Sequence, residues 1–322
     1  MKNKIIRIRQ PDDAPMHLTW MINNICQNSC SYCPPNLHDG KNHYYEWENA
    51  KRFFEMLFEK YPRIHCSVSG GEPSMSPFFR DICKIFHEAG HTIGVTSNAA
   101  KSVEYWEDIS TYLNYISFSW HAQFPDKNFI EKVTAASLKT LVSVRVMMLP
   151  SKWDECLDMF KELSKVTTFI TEPVKLITYE NTDPSASVYN EEQLEWFNNN
   201  QGNHRVLSHI DPRIKPDVKI VADYIFDDGS EILVNWDDGS HANASDWVNR
   251  GFTNFNGYTC EIGLKSLFVR PNGIIYLGNC LVGGKIGNIN QPEKINWPTK
   301  PVKCNIDLCH CSSDVNINKW ID

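Results

Sequence analysis

The stretch His17-Leu-Thr-Trp-Met-Ile22-Asn-Asn-Ile-Cys26-Gln-Asn-Ser-Cys30-Ser-Tyr32-Cys33 joins a short apolar run to three thiols spaced C-x3-C-x2-C. Residues 17–22 read as a strand, being brief and rich in β-formers. Iron–sulfur clusters are normally held by four cysteine thiolates. Three clustered cysteines can close three irons of a [4Fe–4S] cube and leave the fourth open, and an open metal position marks reactive chemistry. Zinc is the competing reading, with a partner pair drawn from elsewhere, although an unequally spaced triplet departs from paired C-x2-4-C elements.

Outward from this stretch, strand and helix alternate. Strands are predicted at Ile64–Ser69, His91–Ser97, Tyr115–Trp120, Val142–Met148 and Thr168–Thr178. Between them, Trp47, Ala50, Phe54, Leu57 and Phe58 recur at helical steps within 46–60, which puts them on one face. Further helices are predicted after Pro77, over 103–113, 126–140 and 152–165, and over 190–199 with Asn190 as cap. Six such units in series require parallel strands with right-handed crossovers, an α/β fold of the partial (β/α)6 TIM-barrel type. Ligands then sit at the carboxyl ends of the strands.

Past about residue 203 the pattern changes. Asp-Asp-Gly-Ser at 227–230 and again at 237–240, and Asn272-Gly273, each lie between strand-like runs and read as hairpin turns. The expected division is a core over 1–200 and a small β-hairpin module over 201–322. The acidic turns match no EF-hand spacing.

The second motif is Gly70-Gly71-Glu72-Pro73, directly after the second strand. Paired glycines let a backbone approach a ligand closely, and a carboxylate there can accept from an ammonium group. Together, the cysteine triplet with Tyr32 before its last thiol and this Gly-Gly-Glu-Pro turn resemble the signature of the radical S-adenosylmethionine (radical SAM) superfamily. The resemblance implies that Cys26, Cys30 and Cys33 bind a [4Fe–4S] cluster whose open iron takes the methionine part of SAM. It implies Tyr32 near the adenine and Gly70 to Pro73 at the SAM amino group. Ser97-Asn98 and Ser119 with His121, at the ends of the third and fourth strands, are implied SAM neighbours. Arg145 in the fifth strand either pairs a carboxylate bidentately or makes an outward salt bridge. Glu172 in the sixth faces either substrate or a helix.

The tail adds Cys260, Cys280, Cys304, Cys309 and Cys311. Tyr258-Thr-Cys260, Pro271-Asn-Gly273 and Gly278-Asn-Cys280 resemble the twitch/SPASM extensions of that superfamily, which implies an auxiliary [4Fe–4S] cluster. The ending C-x4-C-x-C departs from the usual C-x2-C, so which four ligate stays open, as does a structural zinc site; His310 reads as a spacer. Gly283-Gly284-Lys285 reads as a turn, since no helix follows to make a phosphate loop. Cys66, Cys83 and Cys156 read as buried small hydrophobes.

Composition narrows the partners. The net charge is −7 and no basic run occurs, which weighs against a nucleic-acid groove. No apolar segment approaches the ~20 residues that span a bilayer, and no signal peptide opens the chain. Eleven cysteines then point to metal and a cytoplasmic setting. The resemblance implies reductive cleavage of SAM to a 5′-deoxyadenosyl radical that abstracts hydrogen from a small molecule, nucleotide or peptide. It also implies a flavodoxin- or ferredoxin-type reductant, and net oxidation if the auxiliary cluster accepts an electron. With a first barrel strand by residue 17, little chain precedes it for peptide binding, which weighs against a leader-guided peptide maturase. A non-catalytic electron carrier with two closed metal sites is the alternative of another class.

Overall fold

A computed structural model describes residues 4–40, 45–200, 222–234, 251–309 and 311–322. Strand β1 (Ile5–Arg9) precedes the predicted units. Then β2 (Met16–Asn23) is followed by α1 (Trp47–Lys60), β3 (Ile64–Gly70) by α2 (Phe79–Glu88) and β4 (Thr92–Ser97) by α3 (Val103–Ile109). The next three units are β5 (Tyr115–His121) with α4 (Phe129–Ser137), β6 (Leu141–Met148) with α5 (Trp153–Ser164), and β7 (Ile170–Lys175) with α6 (Glu191–Asn200). Strands β2 to β7 pair in parallel, each with its neighbour in sequence.

The helices form for local reasons visible in the chain. Helix α1 buries Ala50, Phe53, Phe54 and Leu57 on one stripe, and Trp20 of β2 meets Phe54 edge-on at 5.4 Å. Helix α6 opens on a reciprocal cap in which the Gln193 N–H donates to Asn190 Oδ1 and the Asn190 N–H to Gln193 Oε1. Along β2, Leu18, Trp20 and Ile22 face the helices and are fully buried. His17, Thr19 and Met21 take the opposite face.

The tail enters both sheets. Strands β8 (Ala222–Phe226) and β9 (Glu231–Val234) make the hairpin expected at residues 227–230; the turn at 237–240 and His310 lie outside the described residues. Strand β10 is Thr259–Cys260. Strands β11 (Ser266–Val269) and β12 (Ile274–Tyr276) form the Asn272-Gly273 hairpin, followed by β13 (Lys285–Asn288). Gly273 sits at φ +76°, the left-handed region this turn demands. Unforeseen from sequence, β11 pairs parallel with β2. It extends the six-strand run into a nine-strand sheet in the order β13-β12-β11-β2-β3-β4-β5-β6-β7. Strands β7 and β13 end that order, so among the described residues the barrel is open. The last strands, β14 (Val302–Lys303) and β15 (Lys319–Trp320), join a second sheet, β14-β10-β15-β1-β8-β9. Segment 201–322 thus contributes to both sheets and shares the second with β1.

Candidate active site

The cysteine loop leaves β2 and is fastened at once to the end of β3. Asn23 is fully buried; its Nδ2 donates to the Glu72 carbonyl at 3.0 Å and its own carbonyl accepts from the Gly71 N–H at 2.9 Å. The Glu72 N–H donates to Ile25 O at 2.7 Å. Gly70 has φ +135°, and a Cβ there would stand 2.4 Å from Asn23 O; one on Gly71 would stand 2.4 Å from Ile25 O. The two glycines therefore let one loop lie on the other.

Glu72 is fully buried. Its carboxylate accepts from Ser74 N (3.0 Å), Ser74 Oγ (2.6 Å), Ser97 Oγ (2.8 Å) and Asn98 N (2.7 Å). Burial pushes its pKa up, and those four hydrogen bonds pull it down. Glu72 is thus the clamp between the ends of β3 and β4. Pro73 follows as the first residue of a 3-10 turn.

Asn98 carries the clamp to the thiols. Its Nδ2 donates to Cys26 Sγ at 3.3 Å, and its Oδ1 accepts from Gln27 Nε2 at 2.7 Å. The Asn28 N–H also donates to Cys26 Sγ, at 3.4 Å. The next residue, Ala99, is buried with φ +61°, a strained conformation of the kind that clusters at functional sites. Lys132 of α4, buried, donates to Ala99 O at 2.9 Å and Asp126 Oδ2 at 2.5 Å. It ties the loop after β4 to the loop after β5. Between these loops and the cysteine loop lies an open cavity of about 430 Å³, bordered by Gln27, Asn28, Asn98, Phe124 and Asp126 among others.

On the other side of the loop, Tyr32 OH and His121 Nδ1 share a hydrogen bond at 2.7 Å, with the rings stacked. His121 Nδ1 also lies 3.6 Å from Cys30 Sγ. Burial lowers His121 to about 4, so the imidazole is neutral at pH 7. Tyr32 is thus turned toward His121 and Cys30. Burial raises the Cys30 thiol to about 12 and Cys33 to about 11. Cys30 also feels the charge of Cys33 and Cys26, and Cys33 that of Cys26. Such thiols give up protons to a metal and to little else at neutral pH.

Arg145 and Ser119 are register partners on β6 and β5, and Glu172 is the partner of Arg145 on β7. Arg145 Nε lies 3.7 Å from Glu172 Oε2. The two candidates left open by the sequence therefore meet each other. The residues sequence reasoning missed, Asn23, Gln27 and Lys132, carry no motif; they act through contacts that only the folded loops create.

In the tail, Cys260, Cys304 and Cys309 are buried and Cys280 is partly buried. Ile306 packs against the two apolar clusters that hold these four thiols. Cys311 is partly exposed and accepts from Asn279 Nδ2 at 3.2 Å. Cys66, Cys83 and Cys156 are fully buried in the core. The Gly283-Gly284 turn leads into β13 without opening a helix. Among the described residues no three His, Cys, Asp or Glu side chains gather closely enough for one metal ion, and no helix is long and apolar enough to cross a membrane.

Residues 20–171 match the radical SAM superfamily. This chain carries a radical SAM domain. Among the solved structures that share its fold are SuiB and anSMEcpe. SuiB of Streptococcus suis is 14% identical with a TM-score of 0.50, over 88% of this chain and 64% of SuiB. The second is anSMEcpe with bound AdoMet and the Kp18Cys peptide, 13% identical with a TM-score of 0.51, over 88% of this chain and 81% of its own. The chain thus spans about two thirds of the length of SuiB. No curated protein matches it. The radical SAM domain is that of an enzyme family whose cofactors are a [4Fe–4S] cluster and SAM. The donor set beside the cavity suits them: three cysteines on one loop, with Cys26 already receiving two N–H donors as a metal-bound thiolate does.

Proposed function

We propose that this chain is a radical SAM enzyme with Cys26, Cys30 and Cys33 as the cluster ligands and the cavity beside Cys26 as the SAM site. When bound, the [4Fe–4S] cluster with SAM on its open iron supplies reductive cleavage of the sulfonium and hydrogen abstraction from a substrate carbon. The single observation that carries the reading is the convergence of three sequence motifs on one cavity. Asn98 reaches Cys26, Glu72 holds Asn98, and both border or back the same space.

The chain's own residues position and exclude. Asn98 and Asn28 steady the Cys26 sulfur; hydrogen bonds to a ligating sulfur raise its reduction potential. Tyr32 and His121 stand behind Cys30 and keep a neutral ring against it. Lys132 and Asp126 hold the far wall of the cavity. Ser119, Arg145 and Glu172, on the face away from the helices, offer a hydroxyl and an ion pair to a substrate.

The tail supports a second, auxiliary [4Fe–4S] cluster on Cys260, Cys280, Cys304 and Cys309, with Cys311 spare. A cube takes one thiolate per iron, so its sulfurs need not converge on a single point as zinc ligands do. The substrate is a small molecule, nucleotide or peptide; the peptide reading draws on anSMEcpe, whose solved complex holds a peptide. Reduced flavodoxin or ferredoxin fits as electron donor, with the cytoplasm as its setting. A closed electron carrier would have no use for the cavity beside Cys26.

Anaerobic reconstitution should load about eight irons per chain. Cys280→Ala should drop this by about four and spare SAM cleavage, while Cys311→Ala should change neither. Incubation with deuterated candidates should then transfer label into 5′-deoxyadenosine, and that label identifies the substrate. A chain that holds no more than four irons would remove the auxiliary cluster from the account.

A further inference from the structure

Strands β10 and β15 set Cys260 directly opposite Lys319 in an antiparallel pair, so the two side chains leave the same face of the second sheet. Lys319 is 1% exposed. Its ammonium donates to the carbonyls of Asp314 (2.6 Å), Val315 (3.0 Å) and Ile317 (2.9 Å), and Nζ lies 5.1 Å from the centroid of Phe255. Three donors are matched by three acceptors. Carbonyls solvate a charge without cancelling it, and an unneutralised buried ammonium is costly. Among the described residues no carboxylate pairs with it directly. Asp314, itself 2% exposed, turns its Oδ2 instead to the Cys280 N–H at 3.0 Å. The Asp314 carboxylate and the tail thiols share this interior, and Asp314, Cys260 and Cys309 feel the Lys319 charge. Burial pushes Cys260 and Cys309 up, the Lys319 charge pulls both down, and the Asp314 charge pushes both up.

We propose that Lys319 is the fixed countercharge of the metal–thiolate centre on Cys260, Cys280, Cys304 and Cys309, and that it raises that centre's reduction potential. The proposal rests on the auxiliary-cluster reading above. Four thiolates make the centre anionic, and one-electron reduction adds a further negative charge. A buried positive charge beside Cys260 favours the reduced form. Lys319 is a positioning residue: it touches neither substrate nor SAM.

The test uses the full chain with Cys26, Cys30 and Cys33 all changed to Ala, so that only the tail centre is read. This chain is reconstituted with iron and sulfide and titrated with dithionite under EPR. It should hold about four irons. Lys319→Gln keeps donors for the carbonyls, and Lys319→Met fills the space without a charge, so the fold has two ways to accept the change. Either variant should keep its iron and bind the added electron at least tenfold less tightly, a midpoint lower by about 59 mV. An unmoved midpoint with full iron would overturn the role of Lys319 alone. Loss of the circular-dichroism melt in both variants would make Lys319 a structural brace and also overturn it. No iron in the parent chain would instead overturn the auxiliary-cluster reading beneath it.

Discussion

Glu72 spends its carboxylate on four donors from Ser74, Ser97 and Asn98. Three of those donors reach Oε1 and the Asn98 N–H alone reaches Oε2, so Glu72→Gln would turn an amide N–H₂ toward at least one N–H donor. We expect a loss of about 1–3 kcal/mol, read as a lower thermal midpoint of the apo chain, together with weaker SAM binding. Gly71→Ala would drive a methyl to within 2.4 Å of Ile25 O. Backbone must move, so cluster loading after reconstitution should fall at least several-fold while the helix content by circular dichroism persists. The contacts at this scale explain what sequence could and could not disclose. Cys26, Cys30, Cys33 and the Gly-Gly-Glu-Pro run are contiguous, and their spacing is their signal. Lys319 looks like any charged residue near a terminus; only its pairing with Cys260 buries it.

Strands β2 to β4 place a histidine pair at the amino end of the sheet. The rings of His17 and His65 lie 5.2 Å apart, tied to Ser67 and Thr92. Burial lowers His17 to about 3 and His65 to about 4, and for His17 the charge of His65 adds to it. The unfolded chain titrates both near ~6.5, so between that value and about 4 it binds protons that the folded chain refuses. Stability is therefore full above about pH 6.5 and falls as pH drops through the window. His65→Gln should flatten that acid limb in a pH series of thermal midpoints; an unchanged slope would remove the pair as its cause. The elements themselves were legible where the signal is local. Six alternating units and two hairpins follow from periodicity and turn residues. Strands β1 and β11 have four or five residues each, and their partners are chosen by distant chain.

For the whole molecule, the β11–β12 part of the tail shares the barrel's core, while the tail cysteines sit in two further apolar clusters. Leu267 and Val269 of β11 belong to the same buried cluster as Leu18 and Trp20 of β2. Leu267→Ala should therefore cost about 2–5 kcal/mol and shift a single calorimetric transition. A separate early transition for the tail would contradict that coupling. The same join puts the tail module against the barrel's first strand, which itself feeds the cysteine loop, so a second centre would stand on the scaffold that carries the first. The central claim is that this scaffold opens the sulfonium of SAM. The most direct measurement is 5′-deoxyadenosine formed from SAM by the anaerobically reconstituted, dithionite-reduced chain, followed by mass spectrometry beside Cys30→Ala. The account predicts accumulation with the native chain and none above background with the variant. No product from a native chain with its full iron, or equal product from both, would contradict it.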